Sequence, residues 1–348
     1  MSVDAQRRGM LSMALAGGLG VSSPCAAAVA VATPTQRVSI ALAARQSLCH
    51  LPLILADQLG YFRQAGLAVD WQGQEAGAHA VARLVAGQAE VAAATFTHLL
   101  AAPHKDLDLQ SFVQISRSPQ LSLGLSSRRT GPQPAPVVLR GLRIGVSSLE
   151  SSTHWTTCHW LQQAGVRQDE VMFVEVGASG AAIDALREGL VDALCNPDPL
   201  MHWLEHRGEV RILREAYSLS ATQQLFGGAV PGICLLARND FLGRRPAVAQ
   251  ALTDGVVQAL KWLRTAGPTD ILRHVPASHW MGDRAIYLGA FEKLRESFAL
   301  DGLVREDAVS SAWRAHARMT TQPLPVRMAL GRTFTNQFAS RAKSRFAA

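Results

Sequence analysis

The sequence predicts an α/β protein built as two lobes, and three observations carry that prediction. Short stretches of alternating apolar residues take turns with helix-patterned stretches from residue 37 onward. The same order returns about a hundred residues later. The two runs also share letters: Leu84, Gly87 and Glu90 of "ARLVAGQAEVAAA" recur as Leu186, Gly189 and Asp192 of "DALREGLVDALC", each pair 102 residues apart. Strands that alternate with helices form mostly parallel sheets covered on both faces, so two such runs imply two helix-flanked sheets. A chain of 348 residues is also too long for one ordinary core.

In chain order, Val38, Ile40 and Leu42 alternate with small or polar residues as a first strand. Pro52 sits in the first turn of a helix, where proline is tolerated. Leu51, Leu55, Leu59 and Phe62 recur as one apolar stripe, which Gly66 ends. Leu67, Val69 and Trp71 form a second strand, a helix runs to about Ala86 with Gly87 as its stop, and "AEVAAAT" is a third strand. The second run repeats the order: "LRIGV" as strand, a helix over 152–164 stopped by Gly165, "EVMFVEV" as strand, a helix over 180–188 stopped by Gly189, and "VDALC" as strand. Between the runs, "SRRTGPQPAPVVLRG" is a surface loop. Beyond them, "GICLLARND" reads as a strand and Ala249, Leu252, Val256, Ala259 and Leu263 as a helix stripe, with further helices over about 283–298 and 306–319. This remainder lacks the alternation of a third lobe and is expected to return to the first. The chain then crosses between lobes twice, from Arg117 to Leu123 and from Tyr217 to Gly228, as a hinge. The expected division is 36–120 with 226–326 as lobe one and 121–225 as lobe two.

The two ends differ from the body. "QRRGMLSMALAGGLGVSSPCAAAVAVATPT" has a basic start, an apolar stretch and Ala-x-Ala sites, the pattern of an export signal over residues 1–32. Arg7 and Arg8 suit the twin-arginine variety, with a general export signal as the alternative. Either route takes the mature chain to the periplasm. From Arg327 onward the chain holds five cations and no acid, so 327–348 is expected as a basic, solvated tail. The net charge of +7 falls to +6 without the signal, and the tail accounts for all but one of the rest. No basic face remains for nucleic acid. Cys25 belongs to the signal; Cys49, Cys158, Cys195 and Cys234 could form two bridges or stay as buried thiols.

Open α/β sheets take ligands at the carboxyl ends of their strands, where loops lead into helix N-termini that favour anions. Those loops are Ser47–His50, Glu75–Ala78 and Thr95–Thr97 in the first run, and Glu150–Trp155, Gly177–Gly180 and Asn196–Asp198 in the second. "SSLESSTHW" places hydroxyls beside a helix start, either as oxyanion donors or as caps.

Four stretches, "HLPLILADQLGYFRQAGLAVDW", "LVAGQAEVAA", "LRGLRIGVSSLESSTHW" and "ALREGLVDALCNPDP", resemble the periplasmic substrate-binding proteins of nitrate/sulfonate/taurine-type ABC transporters. That superfamily also includes binders of thiamine pyrimidine precursors. The resemblance spans about residues 37–320 and implies the type II periplasmic-binding-protein fold, with two lobes joined by a two-crossing hinge. It implies ligand contacts at Ser47, His50, Thr95, Ser151, Ser152, Thr153 and Asn196, a membrane permease and its ATPase as partners, a monomeric chain and no cofactor.

The ligand expected is a small organic anion, a sulfonate or carboxylate with room for an aromatic body. Phe96, Trp155 and Phe226 supply flat apolar surfaces in the inferred cleft, and Arg117 in "ISRSP" is a candidate clamp for the anion. A heteroaromatic vitamin precursor of the pyrimidine type is the alternative. So is a metal held by His154, Cys158, Cys49, His50, Cys195 and His98, although no close Cys/His spacing accompanies them. No nucleophile elbow, zinc-protease, Walker or dinucleotide motif is present, and the cysteine-rich run of the superfamily's fungal pyrimidine-forming enzyme is absent. The expectation is a binding protein and not an enzyme.

Overall fold

A computed structural model describes residues 35–101, 108–129, 139–319 and 329–348. The expected export signal lies outside the described residues. The chain opens with β1 (Gln36–Ala43), a 3₁₀ turn at Leu48–His50, α1 (Leu51–Gln58), α2 (Tyr61–Gln64), β2 (Leu67–Gln74), α3 (Gly77–Val85) and β3 (Val91–Thr95). The stripe through Leu59 and Phe62 reads as one helix, but Gly60 takes a left-handed φ of 78° and divides it into α1 and α2. Both pieces still bury the stripe, and Phe62 packs so closely on Gly255 that a Cβ there would lie 2.6 Å from its ring.

β4 (Leu109–Gln114) then leads through the first crossing to β5 (Leu121–Ser126). The second lobe continues with β6 (Arg143–Val146), α4 (Ser152–Gln163), β7 (Met172–Glu175), α5 (Gly180–Arg187), β8 (Ala193–Pro197), α6 (Leu200–His206) and β9 (Val210–Glu215). The second crossing carries α7 (Leu219–Phe226) back to β10 (Ile233–Arg238). Helices α8 (Asn239–Arg244), α9 (Pro246–Leu263), α10 (Pro268–His274), α11 (Arg284–Leu294), α12 (Glu306–Met319) and α13 (Gln337–Phe346) complete the chain.

The two sheets have the same plan. One runs β2-β1-β3-β10-β4 and the other β7-β6-β8-β5-β9. In each, the first three strands are parallel and the fourth is antiparallel to both neighbours. The inserted strand, β10 or β5, is the one that arrives from the other lobe, so the sheets are mixed rather than wholly parallel. The repeated letters have a shared structural task. Glu90 accepts the Ser39 N–H of β1 and pairs with Arg245; Asp192 accepts the Arg143 N–H of β6 and pairs with Arg143 and Arg129. Each acid ties the turn after a helix to the strand of its own sheet that lies between two parallel neighbours.

One apolar cluster lies beneath α1, α9, α11 and α13. A second runs from Phe96 through Leu121 and Leu123 to Phe226 and Val230, joining the lobes through the hinge. The crossings are also bonded to each other and across the hinge: Gly232 N–H donates to Ser116 O at 2.9 Å and Gln120 N–H to Ala216 O at 3.1 Å. The end of the chain is not a solvated tail. α13 buries Phe338, Ala339 and Ala342 against the first lobe, with Phe338 edge-on to Phe112, while Lys343 and Arg345 pair with Asp301 and Asp254.

Candidate functional site

The loops at the strand ends face each other between the lobes. Ser47 Oγ and Leu48 N–H of the first lobe both donate to the Asp198 carbonyl of the second, at 3.1 and 2.8 Å. Ser179 Oγ donates to Glu75 Oε2 at 3.1 Å across the mouth. Behind these contacts lie two adjoining chambers that share Thr95, Pro119 and Ser152.

The inner chamber has a volume of about 40 Å³, room on the order of three water-sized groups. The starts of α1, α3 and α4 meet there through His50, Gly77 and Ser152 with Thr153. None of the three helices is capped by a side chain. At α1 the Leu51 N–H donates to Leu48 O and Pro52 has no N–H, so the N–H groups that keep their partial positive charge for the chamber are those that open α3 and α4. The hydroxyls before α4 bond to one another instead: Ser147 Oγ lies 2.9 Å from both Ser151 Oγ and Thr153 Oγ1, and Ser151 Oγ 2.7 Å from Thr153 Oγ1. Burial pushes the His50 imidazole down to about 4 and the neighbouring Cys49 thiol up to about 11, so both are neutral at pH 7.

The outer chamber, about 230 Å³, is walled by rings. Trp155 of α4 stands between His98 and His316, at 5.1 and 6.0 Å, and Phe226 meets His159 at 4.9 Å. Val230, Pro231 and Met319 extend the apolar surface, while Glu150, Gln168 and His154 supply polar atoms. Burial lowers the pKa of His154, His159 and His316, His159 to about 4, and raises the Cys158 thiol to about 12. Among the described residues, no Lys or Arg lines either chamber.

Of the residues singled out in the sequence, Ser47, His50, Thr95, Ser152, Thr153 and Trp155 line these chambers, as does Phe226. Four do not. Phe96 is fully buried in the cluster that joins the lobes. Arg117 turns to the far side of the hinge, where its guanidinium donates to the carbonyls of Glu296 and Phe298 at 2.6 and 3.2 Å; a clamp on the cleft ligand is ruled out by that direction. Ser151 is fully buried in the hydroxyl cluster before α4. Asn196 is likewise enclosed, its amide donating to Gly177 O at 3.2 Å. Gly77, Glu150 and His154 sit on loops the sequence already marked, whereas Pro119, His316 and Met319 come from the first crossing and α12, which carry no local signal of facing a ligand. Among the described residues, Cys49, Cys158, Cys195 and Cys234 are buried free thiols. No group of three or more His, Cys, Asp or Glu side chains converges for a metal among the described residues.

The NMT1/THI5-like family model matches residues 48–266. The chain belongs to this family. A solved protein from Bordetella bronchiseptica RB50 is 32% identical and superposes with a TM-score of 0.85, covering 90% of this chain and 98% of that one. The alkanesulfonate-binding protein SsuA from Xanthomonas axonopodis pv. citri, bound to MOPS, is 18% identical with a TM-score of 0.68 over 87% of this chain and 99% of that one. The periplasmic nitrate-binding protein NrtA from Synechocystis PCC 6803 is 13% identical with a TM-score of 0.65, covering 90% and 89%. The last two likenesses identify the fold, which is that of the two-lobed periplasmic binding proteins. No curated protein matches. Among the described residues, no helix of this family member is long and apolar enough to cross a membrane.

Proposed function

We propose that this NMT1/THI5-like chain is the extracytoplasmic solute-binding component of an ABC importer, and that its solute is a small organic anion with a flat apolar body. The observation that carries the proposal is the pairing of the two chambers. Two helix starts with free N–H groups, those of α3 and α4, converge with His50 on a space the size of a sulfonate or carboxylate head, and that space opens into a larger one walled by Trp155 and Phe226. An anion held this way is neutralised by N–H groups and helix dipoles instead of by arginine. Nearby hydroxyls of Ser47, Thr95, Ser152 and Thr153 can add donors once a ligand reorders their bonds. The alkanesulfonate-binding protein of the same fold is consistent with this head-and-body plan.

In this reading the lobes, 36–120 with 226–326 and 121–225, close about the two crossings on the ligand. The closed form is recognised by a membrane permease, and residues 1–32 direct the chain to the periplasm. A thermal-shift screen of the mature chain tests the ligand class. Benzenesulfonate, benzoate or MOPS should raise the melting temperature by several degrees, and Trp155→Ala should remove most of the gain for the aryl anions. Stabilisation by benzamidine or by neutral sugars, with none from any organic anion, would overturn it. A heteroaromatic ligand has one specific point in its favour, the polar atoms of Glu150, Gln168 and His154 in the outer chamber. Stabilisation by an uncharged aminopyrimidine above that from benzenesulfonate would select that reading.

A further inference from the structure

His50 lines the inner chamber at the start of α1 and is 2% exposed. One ring nitrogen is engaged by the Ala43 backbone carbonyl, while Nδ1 is buried without a hydrogen-bond partner. The nitrogen on Ala43 must be the donor, Nε2–H, so the neutral ring leaves Nδ1 as an unpartnered, buried acceptor in the wall of the chamber that His50 lines. A bare acceptor is the wrong group to meet an oxyanion: two sets of lone pairs face each other with no proton between them. The surroundings offer no substitute. Cys49 on the same turn, Asp198 across the cleft, His98 after β3 and Tyr287 of α11 are titratable groups around it. The packed helices also carry Asp57 of α1, paired with Arg45, and Arg284, Glu292 and Lys293 of α11, with Arg284 over Trp280 and Lys293 paired with Glu205. The cations Arg284 and Lys293 line neither chamber, and burial raises the Cys49, Asp198 and Tyr287 values, keeping those groups toward their neutral forms.

We propose, resting on the reading above that the ligand's head is an oxyanion, that anion and proton bind together. As the head enters the inner chamber, His50 takes one proton from solvent onto Nδ1, keeps Nε2–H on Ala43, and becomes the side-chain counter-charge of the bound anion. The site is therefore selective for anions that hold their charge and accept a hydrogen bond, and its affinity depends on pH.

The direction follows from linkage. In the free protein burial holds the ring near 4, so almost none is protonated at neutral pH. A bound oxyanion favours the imidazolium and raises that value. Between the free and bound values one proton is taken up per ligand, and affinity falls about tenfold for each unit of rise in pH. Below the free value and above the bound value it is flat.

The test uses benzenesulfonate and methanesulfonate, whose charge is constant across the range. Calorimetric titration of the mature wild-type chain at about pH 5.5 and about pH 7.5, in buffers of different ionisation heat, should show proton uptake approaching one per ligand. Affinity should be substantially greater at the lower pH. Imidazole nitrogen NMR of the complex should show both nitrogens of His50 protonated, a readout that needs no variant. His50→Gln, which retains a donor for Ala43, should bind more weakly with a flattened pH profile. Sulfonate binding with no proton uptake and equal affinity at both pH values would overturn this inference and leave the proposed function standing. Retention of the full pH dependence in His50→Gln would also overturn it, by placing the proton elsewhere. Failure of every organic anion to bind at either pH would overturn the proposed function, and this inference with it.

Discussion

Gly232→Ala should be one of the most damaging small substitutions in the chain. Gly232 ends the second crossing and lines the outer chamber. Its N–H donates to Ser116 O at 2.9 Å, its carbonyl accepts the Phe96 N–H at 2.9 Å, and Ser116 Oγ accepts the next N–H, of Ile233, at 2.8 Å. A Cβ at this position would lie 2.1 Å from Ser118 O and 2.2 Å from Ser116 Oγ. Ser116 and Ser118 are both fully buried, so neither can swing aside, and the crossings would have to part by about 1 Å. Overpacking of this kind costs about 1–3 kcal/mol, and weakening two of the three bonds adds about 1 kcal/mol each. The sum is a loss of about 3–5 kcal/mol, read from the urea midpoint by circular dichroism. Gly243→Ala is the control: nothing lies within 4 Å of its added Cβ in α8, and it should be neutral or up to about 1 kcal/mol stabilising. A Gly232→Ala protein within about 1 kcal/mol of wild type would refute the account of how the crossings pack.

Three further outcomes are expected. Asp192→Asn should cost about 1–3 kcal/mol, because a buried carboxylate loses partly exposed Arg143 and Arg129. Those guanidiniums hold its pKa well below the usual carboxylate range, so the stabilisation is complete above about pH 4 and fades as pH falls; urea melts should show the mutant and wild type converging in acid. Asp198 is the opposite case: burial pushes its carboxyl up to about 7. The unfolded chain ionises it near pH 4 and the folded chain does not, so wild type loses stability as pH rises from about 4 to about 7. Asp198→Asn, which can still accept the His202 N–H, should match wild type near pH 4 and gain on it up to neutrality, as melting curves across that range would show. Phe338→Ala should cost about 3–5 kcal/mol in urea, since its ring is fully buried against Phe112 in the first-lobe core.

Much of the architecture was legible because its signals are local. Gly66, Gly87, Gly165 and Gly189, read as helix stops, all have left-handed φ between 67° and 75°. The repeat of Gly87–Glu90 as Gly189–Asp192 marks a turn and an acid that each sheet needs at the same place. What was missed depends on contacts far along the chain. The sequence pattern does not mark β4, β5 and β9 as strands; β5 is buried on both faces and so has no polar alternation. Gly60 interrupts a stripe that itself continues through Phe62, so apolar spacing alone could not reveal the break. The tail looked solvated because its charges outnumber its apolar residues, yet Phe338, Ala339 and Ala342 share one helix face. At the site, the loops were readable and the directions of their side chains were not. Phe96 and Trp155 both follow strand ends, but the first turns into the cluster joining the lobes and the second into the cleft. Arg117 is drawn away by carbonyls about 180 residues distant, and no local pattern announces them.

Diffraction from crystals grown with 4-bromobenzenesulfonate tests the central claim most directly, since sulfur and bromine mark the two ends of the ligand by anomalous scattering. The account predicts sulfur in the inner chamber, within hydrogen-bond reach of the Ser152 and Thr153 N–H groups and of His50, with bromine beside Trp155 and Phe226. Sulfur at the hinge-side groove near Arg117, or bromine in the inner chamber with the sulfonate turned outward, would contradict it.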